Sequence, residues 1–286
     1  MRLKKSIYNI IFGIISQFII LGLGIILPRL FILNLGSEAN GLIASIGQIY
    51  SYVGLIEAGI GATAVQALYK PITQNDKTSI CSILSASNIY YKKIGKIYFF
   101  CVLILSAIYP FFVSVSFSYF EVVVIVFFLG VGGAINFYLQ QNYTILLSAQ
   151  GDNYVLTAVN LFINILISIT KIILLVSGYS IIAIVISQFI ITLLRIIFIY
   201  IYMKKKYPWL NLNVNPDFKS LSQRNYVLVH QLSYFVYSNT DILILTFFCD
   251  LKIVSVYTVY NMLIGVVEGV ISTLTSSFLF LLGQLY

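Results

Sequence analysis

The sequence predicts an all-α, polytopic membrane protein: a helix bundle of about eight transmembrane helices, with one six-helix lobe plus the start of a second lobe. Hydrophobic residues make up 60% of the 286 residues, and charged residues only 9%. A soluble domain has about a quarter of its residues charged, so this chain has too little charge to cover a surface in water. Its apolar residues also collect in long runs, which is typical of membrane spans.

Eight apolar runs follow one another along the chain. A helix needs about 20 apolar residues to cross the hydrocarbon core, and each run is predicted to form one such helix. The runs are too long for the strands of a membrane barrel, and they do not alternate with a period of two. They cover residues 7–33, 41–68, 97–117, 120–147, 154–176, 180–203, 226–248 and 254–282.

The basic residues between the runs predict the orientation. When the N-terminus is placed in the cytoplasm, the segments outside contain only Arg29 and Lys252 of the 17 basic residues. Cytoplasmic loops carry an excess of Lys and Arg, so a cytoplasmic N-terminus is expected. Membrane topology also explains the net charge of +8 without a nucleic-acid partner. The predicted cytoplasmic residues are Arg2, Lys4, Lys5, Lys70, Lys77, Lys92, Lys93, Lys96, Lys204, Lys205, Lys206, Lys219 and Arg224.

Two longer polar segments divide the chain. Residues 69–96 mix isoleucines with polar residues and are predicted to lie on the membrane surface as a short amphipathic helix. Residues 207–225 contain two prolines and are predicted to be a cytoplasmic linker. The expected parts are therefore an N-terminal six-helix membrane lobe at 1–206, the linker at 207–225, and the first two helices of an incomplete second lobe at 226–286.

Charged side chains inside the runs are the main functional signal. Each costs about 2.5–3.5 kcal/mol near the centre of a membrane helix, so we expect them to face the bundle interior or a wet cavity. In the fifth run, polar residues recur with helical spacing, which places them on one face. The charged residues are Glu57, Lys171, Arg195, Asp241 and Glu268. The polar face of the fifth run contains Asn160, Asn164, Ser168 and Lys171.

Simpler roles remain open for each of these residues. Lys171 and Arg195 have stems long enough to reach the membrane surface, and Arg29 suits an interface anchor. Glu57 and Glu268 could be neutral carboxyl groups bonded between helices. In the seventh run, Tyr234 shares a helix face with Asp241, which could serve only for helix packing. The scattered Cys and His residues suggest no metal site, and no cofactor is expected.

Four stretches resemble bacterial polysaccharide-transport flippases, the O-antigen and capsule branch of the multidrug/oligosaccharidyl-lipid/polysaccharide superfamily. LGSEANGL at 35–42 resembles the first outer turn of that family. GLIEAGIG at 54–61 and ALYKP at 67–71 resemble its second helix and the basic inner end of that helix. SNTDILIL at 238–245 resembles the opening of its second lobe.

The resemblance implies a flippase that is not an enzyme. It would move an undecaprenyl-pyrophosphate-linked oligosaccharide, a lipopolysaccharide or capsule repeat unit, across the bacterial cytoplasmic membrane by alternating access, alongside other glycan-assembly membrane proteins. Lys171, Arg195 and Arg29 fit the idea of a cationic cavity, with Asn160, Asn164 and Tyr234 for the sugar. Glu57 and Asp241 occupy motif positions and, with Glu268, are candidates for ion coupling or gating. The family has about twelve helices, so the resemblance implies that the chain is a fragment, the product of a truncated gene, or a partner of a second polypeptide.

Two other functions stay open. A cation-coupled multidrug efflux transporter of the same superfamily would prefer cationic drugs, and the three carboxylates in the spans suit such substrates. A membrane glycan polymerase or glycosyltransferase belongs to a different class. Such enzymes usually have a large outer loop with catalytic residues, whereas the outer loops predicted here are short.

Overall fold

A computed structural model describes residues 2–57, 59–113, 117–222 and 224–283. This part of the chain forms α-helices and short 3-10 turns and contains no strand, which confirms the predicted all-α class. The helices are α1 (Arg2–Leu35), α2 (Ser37–Gly54), α3 (Ile60–Thr73), α4 (Lys77–Ile108), α5 (Tyr119–Leu139), α6 (Gln141–Ala149), α7 (Asn153–Val176), α8 (Ile181–Lys206), α9 (Arg224–Phe248) and α10 (Leu251–Gly283).

The helices make the chain a multi-pass membrane protein. Six helices in the described part are long and apolar enough to span a membrane, or seven when α2 and α3 count as one bent span. The predicted number was about eight. The run at 226–248 accounts for the difference: α9 is 25 residues long, but polar residues such as Ser233, Thr240 and Asp241 lower its mean hydropathy.

At each end of the bundle, contacts between residues distant in sequence join two helices. We call the end where α1 begins the basic end, because it also carries Lys204–Lys206 at the end of α8. There, the Asn9 amide donates to Gly151 O at 3.1 Å, and its Oδ1 accepts from Tyr154 N at 2.6 Å. At the opposite end, Lys252 Nζ lies 3.5 Å from Glu38 Oε1. These contacts join α1 to α7, and α10 to α2.

The span formed by α2 and α3 is broken between Glu57 and Ile60. The two helices meet at an angle of 45°, and the residue before α3 is Gly59 with φ of +86°. Side chains with a Cβ disfavour this left-handed region, whereas glycine adopts it readily. A 3-10 turn, Leu55–Glu57, precedes the break. The second run therefore forms two helices, with Glu57 beside their junction.

Helix α4 replaces the predicted surface helix at 69–96. It runs without a break from Lys77 to Ile108, and the Asp76 side chain caps it by accepting from Thr78 N and Ser79 N. Its first half packs its apolar face, including the fully buried Leu84, into a core shared with α3, α6 and α8. The surface prediction was wrong because this amphipathic face is covered by protein.

The segment between α8 and α9 is packed against α4. Ser85 Oγ donates to Val214 O at 2.8 Å, and Asp217 N donates to Ser82 O at 3.1 Å. Leu221 is fully buried in the core at the basic end. The predicted linker thus forms a layer over the basic end of the bundle, and the chain then returns through α9 and α10, which pack along α2 and α1.

Candidate functional sites within the membrane

Arg195 joins three helices near the middle of α8. Its Nη2 donates to Asn136 Oδ1 on α5 at 2.9 Å, and its Nη1 donates to Asn160 Oδ1 on α7 at 3.4 Å. The Nε atom is buried and has no partner among the described residues. Hydrogen bonds that involve a charged group are stronger than neutral ones. The two amides therefore stabilise the cation inside the membrane.

A groove between α5 and α8 exposes this cation. Its volume is about 150 Å³, and its wall includes Gly132, Asn136 and Arg195. Gln188 and Thr192 also line it, and with Arg195 they recur at i, i+4 and i+7, which is one helical face. The groove thus offers one cation, two amides and a hydroxyl group.

An apolar groove lies along the same stretch of α7 and α8. It has a volume of about 420 Å³, and its walls include Val159, Phe162, Leu194 and Phe198. Val159 and Leu194 directly precede Asn160 and Arg195 in the chain. A charged head group and a long apolar chain could therefore be accommodated at one level of this helix pair.

Lys171 lies apart from Arg195. It is half-buried and makes no hydrogen bond or ion pair within the described part of the chain. Eleven positions of α7 separate it from Asn160, the partner of Arg195, or roughly 16 Å at 1.5 Å per residue. The polar face of α7 is also mixed, because Asn160 and Asn164 are exposed and Ser168 is buried. The predicted cationic pair is not assembled at one site.

Glu57 lies where two interrupted spans meet. Gln141 begins α6 directly after the interruption at Gln140, and its Nε2 donates to Glu57 Oε2 at 3.1 Å. Next to it, Asn142 Nδ2 donates to Asn88 Oδ1 of α4 at 3.0 Å. The Glu57 carboxylate thus has a neutral amide partner rather than a basic one.

Buried oxygen atoms lie on α3, α4 and α6, the helices that pack together beside this break. Tyr91 is fully buried, and a Cβ at Gly61 would lie 3.1 Å from its hydroxyl group. The Asn142 Oδ1 and Thr63 Oγ1 atoms are buried without a partner in the described part of the chain. Buried polar groups without hydrogen bonds cost free energy. This region therefore concentrates polar groups that an apolar core would exclude.

The remaining predicted residues lie elsewhere. Asp241 on α9 is exposed and accepts a hydrogen bond from Tyr257 Oη on α10 at 2.5 Å. Glu268 on α10 and Arg29 on α1 are also exposed. The Tyr234 side chain lies outside the described residues. In the hydrogen bonds of the described residues, Glu57, Asp241 and Glu268 share no network.

Sequence reasoning missed Asn136, Gln188 and Thr192. The sequence could have indicated Gln188 and Thr192, since their spacing with Arg195 places all three on one face of a helix. No sequence pattern indicates Asn136, because it lies 59 positions from Arg195 and only helix packing brings the two together. The chain matches no known protein family, no curated protein and no solved structure. What is established is a multi-pass membrane bundle with a half-buried carboxylate at two helix breaks and an arginine in a polar groove.

Proposed function

We propose that the chain is a flippase, or part of one, for an undecaprenyl-pyrophosphate-linked oligosaccharide in the bacterial cytoplasmic membrane. The observation that carries the proposal is Arg195, held by two amides in a polar groove beside an apolar groove. The resemblance of residues 35–42, 54–61 and 238–245 to polysaccharide-transport flippases also supports it. The basic end of the bundle would face the cytoplasm.

The chemistry of the substrate suits the two grooves. Arg binds phosphate oxygens through paired N–H donors, and Arg195 would exchange its long hydrogen bond to the exposed Asn160, at 3.4 Å, for a phosphate oxygen. Gln188 and Thr192 offer the amide and hydroxyl groups that sugars bind. The apolar groove between α7 and α8 suits a polyprenyl chain. Charge inside a membrane is expensive and usually functional, which favours a binding role for Arg195.

Glu57 is the candidate for ion coupling under this proposal. Transporters commonly place ion and substrate sites at interrupted membrane helices, and Glu57 lies beside two such interruptions. A charged Glu57 accepts from Gln141, whereas a protonated one would carry a donor of its own. Protonation would therefore change the contact between the 3-10 turn after α2 and the start of α6.

A binding measurement tests the proposal. The chain is placed in nanodiscs and titrated with a fluorescent undecaprenyl-pyrophosphate-linked sugar. Replacing Arg195→Ala should weaken binding by about 10-fold or more, because hydrogen bonds to a charged group contribute about 1.5–3 kcal/mol. Lys205→Ala removes an exposed cation at the basic end and serves as the matched control. Unchanged binding in Arg195→Ala would overturn the assignment of this site.

The efflux alternative rests on the two exposed carboxylates, Asp241 and Glu268. A cationic drug would be drawn to them rather than to Arg195. The same nanodiscs titrated with a cationic dye separate the two proposals. Tight binding of the dye, together with no binding of the lipid-linked sugar, would favour efflux.

A further inference from the structure

A small pocket opens at the basic end, outside the two membrane grooves. Its volume is about 190 Å³, and it forms where the chain leaves α8 and folds back against α6. Its floor contains Met203 and Tyr207, which are 1% and 6% exposed. Tyr143 forms a side wall. Leu210 and Leu212 also line the pocket. Its polar lining residues Lys204, Asn211 and Asn213 are exposed.

Lys204 is the free cation of this pocket. Its neighbour Lys206 is paired with Asp152, with Nζ 2.7 Å from Oδ2. Lys204 makes no ion pair within the described residues, and its Nζ lies 5.8 Å from the centre of the Tyr200 ring. No acidic side chain among the described residues lines the pocket. One unpaired ammonium group next to two side-chain amides is suited to an anion.

The position of the pocket favours a lipid anion over a soluble one. Lys204 lies in the last turn of α8, a candidate membrane span, so the pocket lies at the level where that span ends. Tyrosines such as Tyr143, Tyr200 and Tyr207 are typical of the headgroup layer. The volume is also below the roughly 300–1,000 Å³ of drug-sized sites, which suits a single phosphate group.

We propose that this pocket binds the phosphate of an anionic phospholipid headgroup in the leaflet at the basic end. Basic pockets at the ends of membrane helices bind such headgroups through lysine and arginine. Lys204 would contact the phosphate, and the Asn211 and Asn213 amides would donate to its oxygens. This site is independent of Arg195 and of the transported substrate.

Native mass spectrometry of the full chain tests the proposal. Protein released from nanodiscs of mixed phosphatidylglycerol and phosphatidylcholine should retain phosphatidylglycerol preferentially. Lys204→Ala should lower that retention about tenfold, because it removes a charge-assisted hydrogen bond to the phosphate inside the pocket. Lys205→Ala removes the same charge one position away, outside the pocket, and should retain lipid like the wild type.

A charge-preserving variant and a phosphate competition distinguish the pocket from the charged surface around it. Lys204→Arg should keep most of the retention, because it keeps the charge, and unfolding temperatures recorded for all variants show whether each one is folded. Equal losses in Lys204→Ala and Lys205→Ala would mean a general surface-charge effect and would overturn the pocket. Displacement of the lipid by millimolar inorganic phosphate would show that the pocket takes soluble phosphate, which would overturn the lipid assignment.

Discussion

Glu57 and Arg195 are both charged residues within membrane spans, but the protein holds them in different ways. Glu57 lies among closely packed groups, since Tyr91 is fully buried and Asn142 is 4% exposed. Arg195 lies in a groove, with Asn160 exposed on one side of it. An enclosed charge depends on its protein partners, whereas a charge in a groove can exchange a partner for a ligand. The first should therefore matter for folding and the second for binding.

The largest loss of stability is expected when the Glu57 carboxylate loses its hydrogen-bond donor, Gln141. Gln141→Leu removes the amide that donates to Glu57 at 3.1 Å. An unsatisfied buried group costs about 1–3 kcal/mol, and more when it is charged. Glu57 is half-buried, so the free energy of unfolding should fall by about 2 kcal/mol. Asn160→Ala at the groove should lower the free energy of unfolding by less than about 1 kcal/mol, because Arg195 keeps its hydrogen bond to Asn136.

Reversible unfolding in detergent, followed by circular dichroism, measures both variants. Glu57→Gln in the Gln141→Leu background should recover part of the loss, since a neutral amide is cheaper to bury than a carboxylate. If Asn160→Ala destabilises the protein as much as Gln141→Leu does, the distinction between an enclosed and an open charge fails.

Alanine substitutions at Gly61, near Glu57, and at Gly132, near Arg195, compare how tightly the two sites are packed. Their effects on stability are expected to be smaller. At Gly61, an added Cβ would lie 3.1 Å from the buried Tyr91 hydroxyl group, so Gly61→Ala should destabilise by about 1–2 kcal/mol through overpacking. At Gly132 the nearest atom, Thr192 Cγ2, is 3.6 Å away, which is ordinary contact. Gly132→Ala should be neutral, or stabilising by up to about 1 kcal/mol, since Ala favours helix over Gly.

Thermal unfolding of the two alanine variants in the same detergent provides the measurement. The wild-type protein and Gly47→Ala, which meets nothing within 4 Å, are the controls. A larger loss at Gly132 than at Gly61 would mean that the groove is as tightly packed as the region around Glu57.

The smallest effect is expected for a carboxylate outside the membrane. Hydrogen bonds from the Ser220 hydroxyl group, and from the Ser220 and Lys219 backbone, lower the pKa of Asp217. The unfolded pKa is about 3.9, so this stabilisation is present above that pH and is lost as the pH falls through the lower folded value. The layer over the basic end should then loosen only in strong acid.

Trp209 reports this change because it is the single tryptophan of the chain and lies in the same layer. Its emission should stay constant from pH 7 to about 4 and change below that. Asp217→Asn removes the titrating group and should flatten the acid transition. An identical transition in that variant would assign the change to other carboxylates.

Sequence patterns predicted the helical class and most helix positions, because spanning a membrane imposes a length and an apolar composition. They did not predict the break at Gly59, since a single glycine inside an apolar run is common in membrane helices. They placed Lys171 and Arg195 in one cavity because charge is expensive in lipid. The distance between the two residues depends on how α7 and α8 are offset, which composition does not encode. The flippase function stays a prediction.

The hydrogen bonds of Asn9 to Gly151 and Tyr154 have a consequence for how the protein is made. The Asn9 amide bonds to residues about 142 positions later in the chain. A ribosome adding about 5–20 residues per second needs roughly 7–30 s to reach them. During that interval the first helix waits in the bilayer with a polar side chain that has not met its partners. We expect nascent α1 to depend on the insertion machinery or a membrane chaperone until α7 emerges.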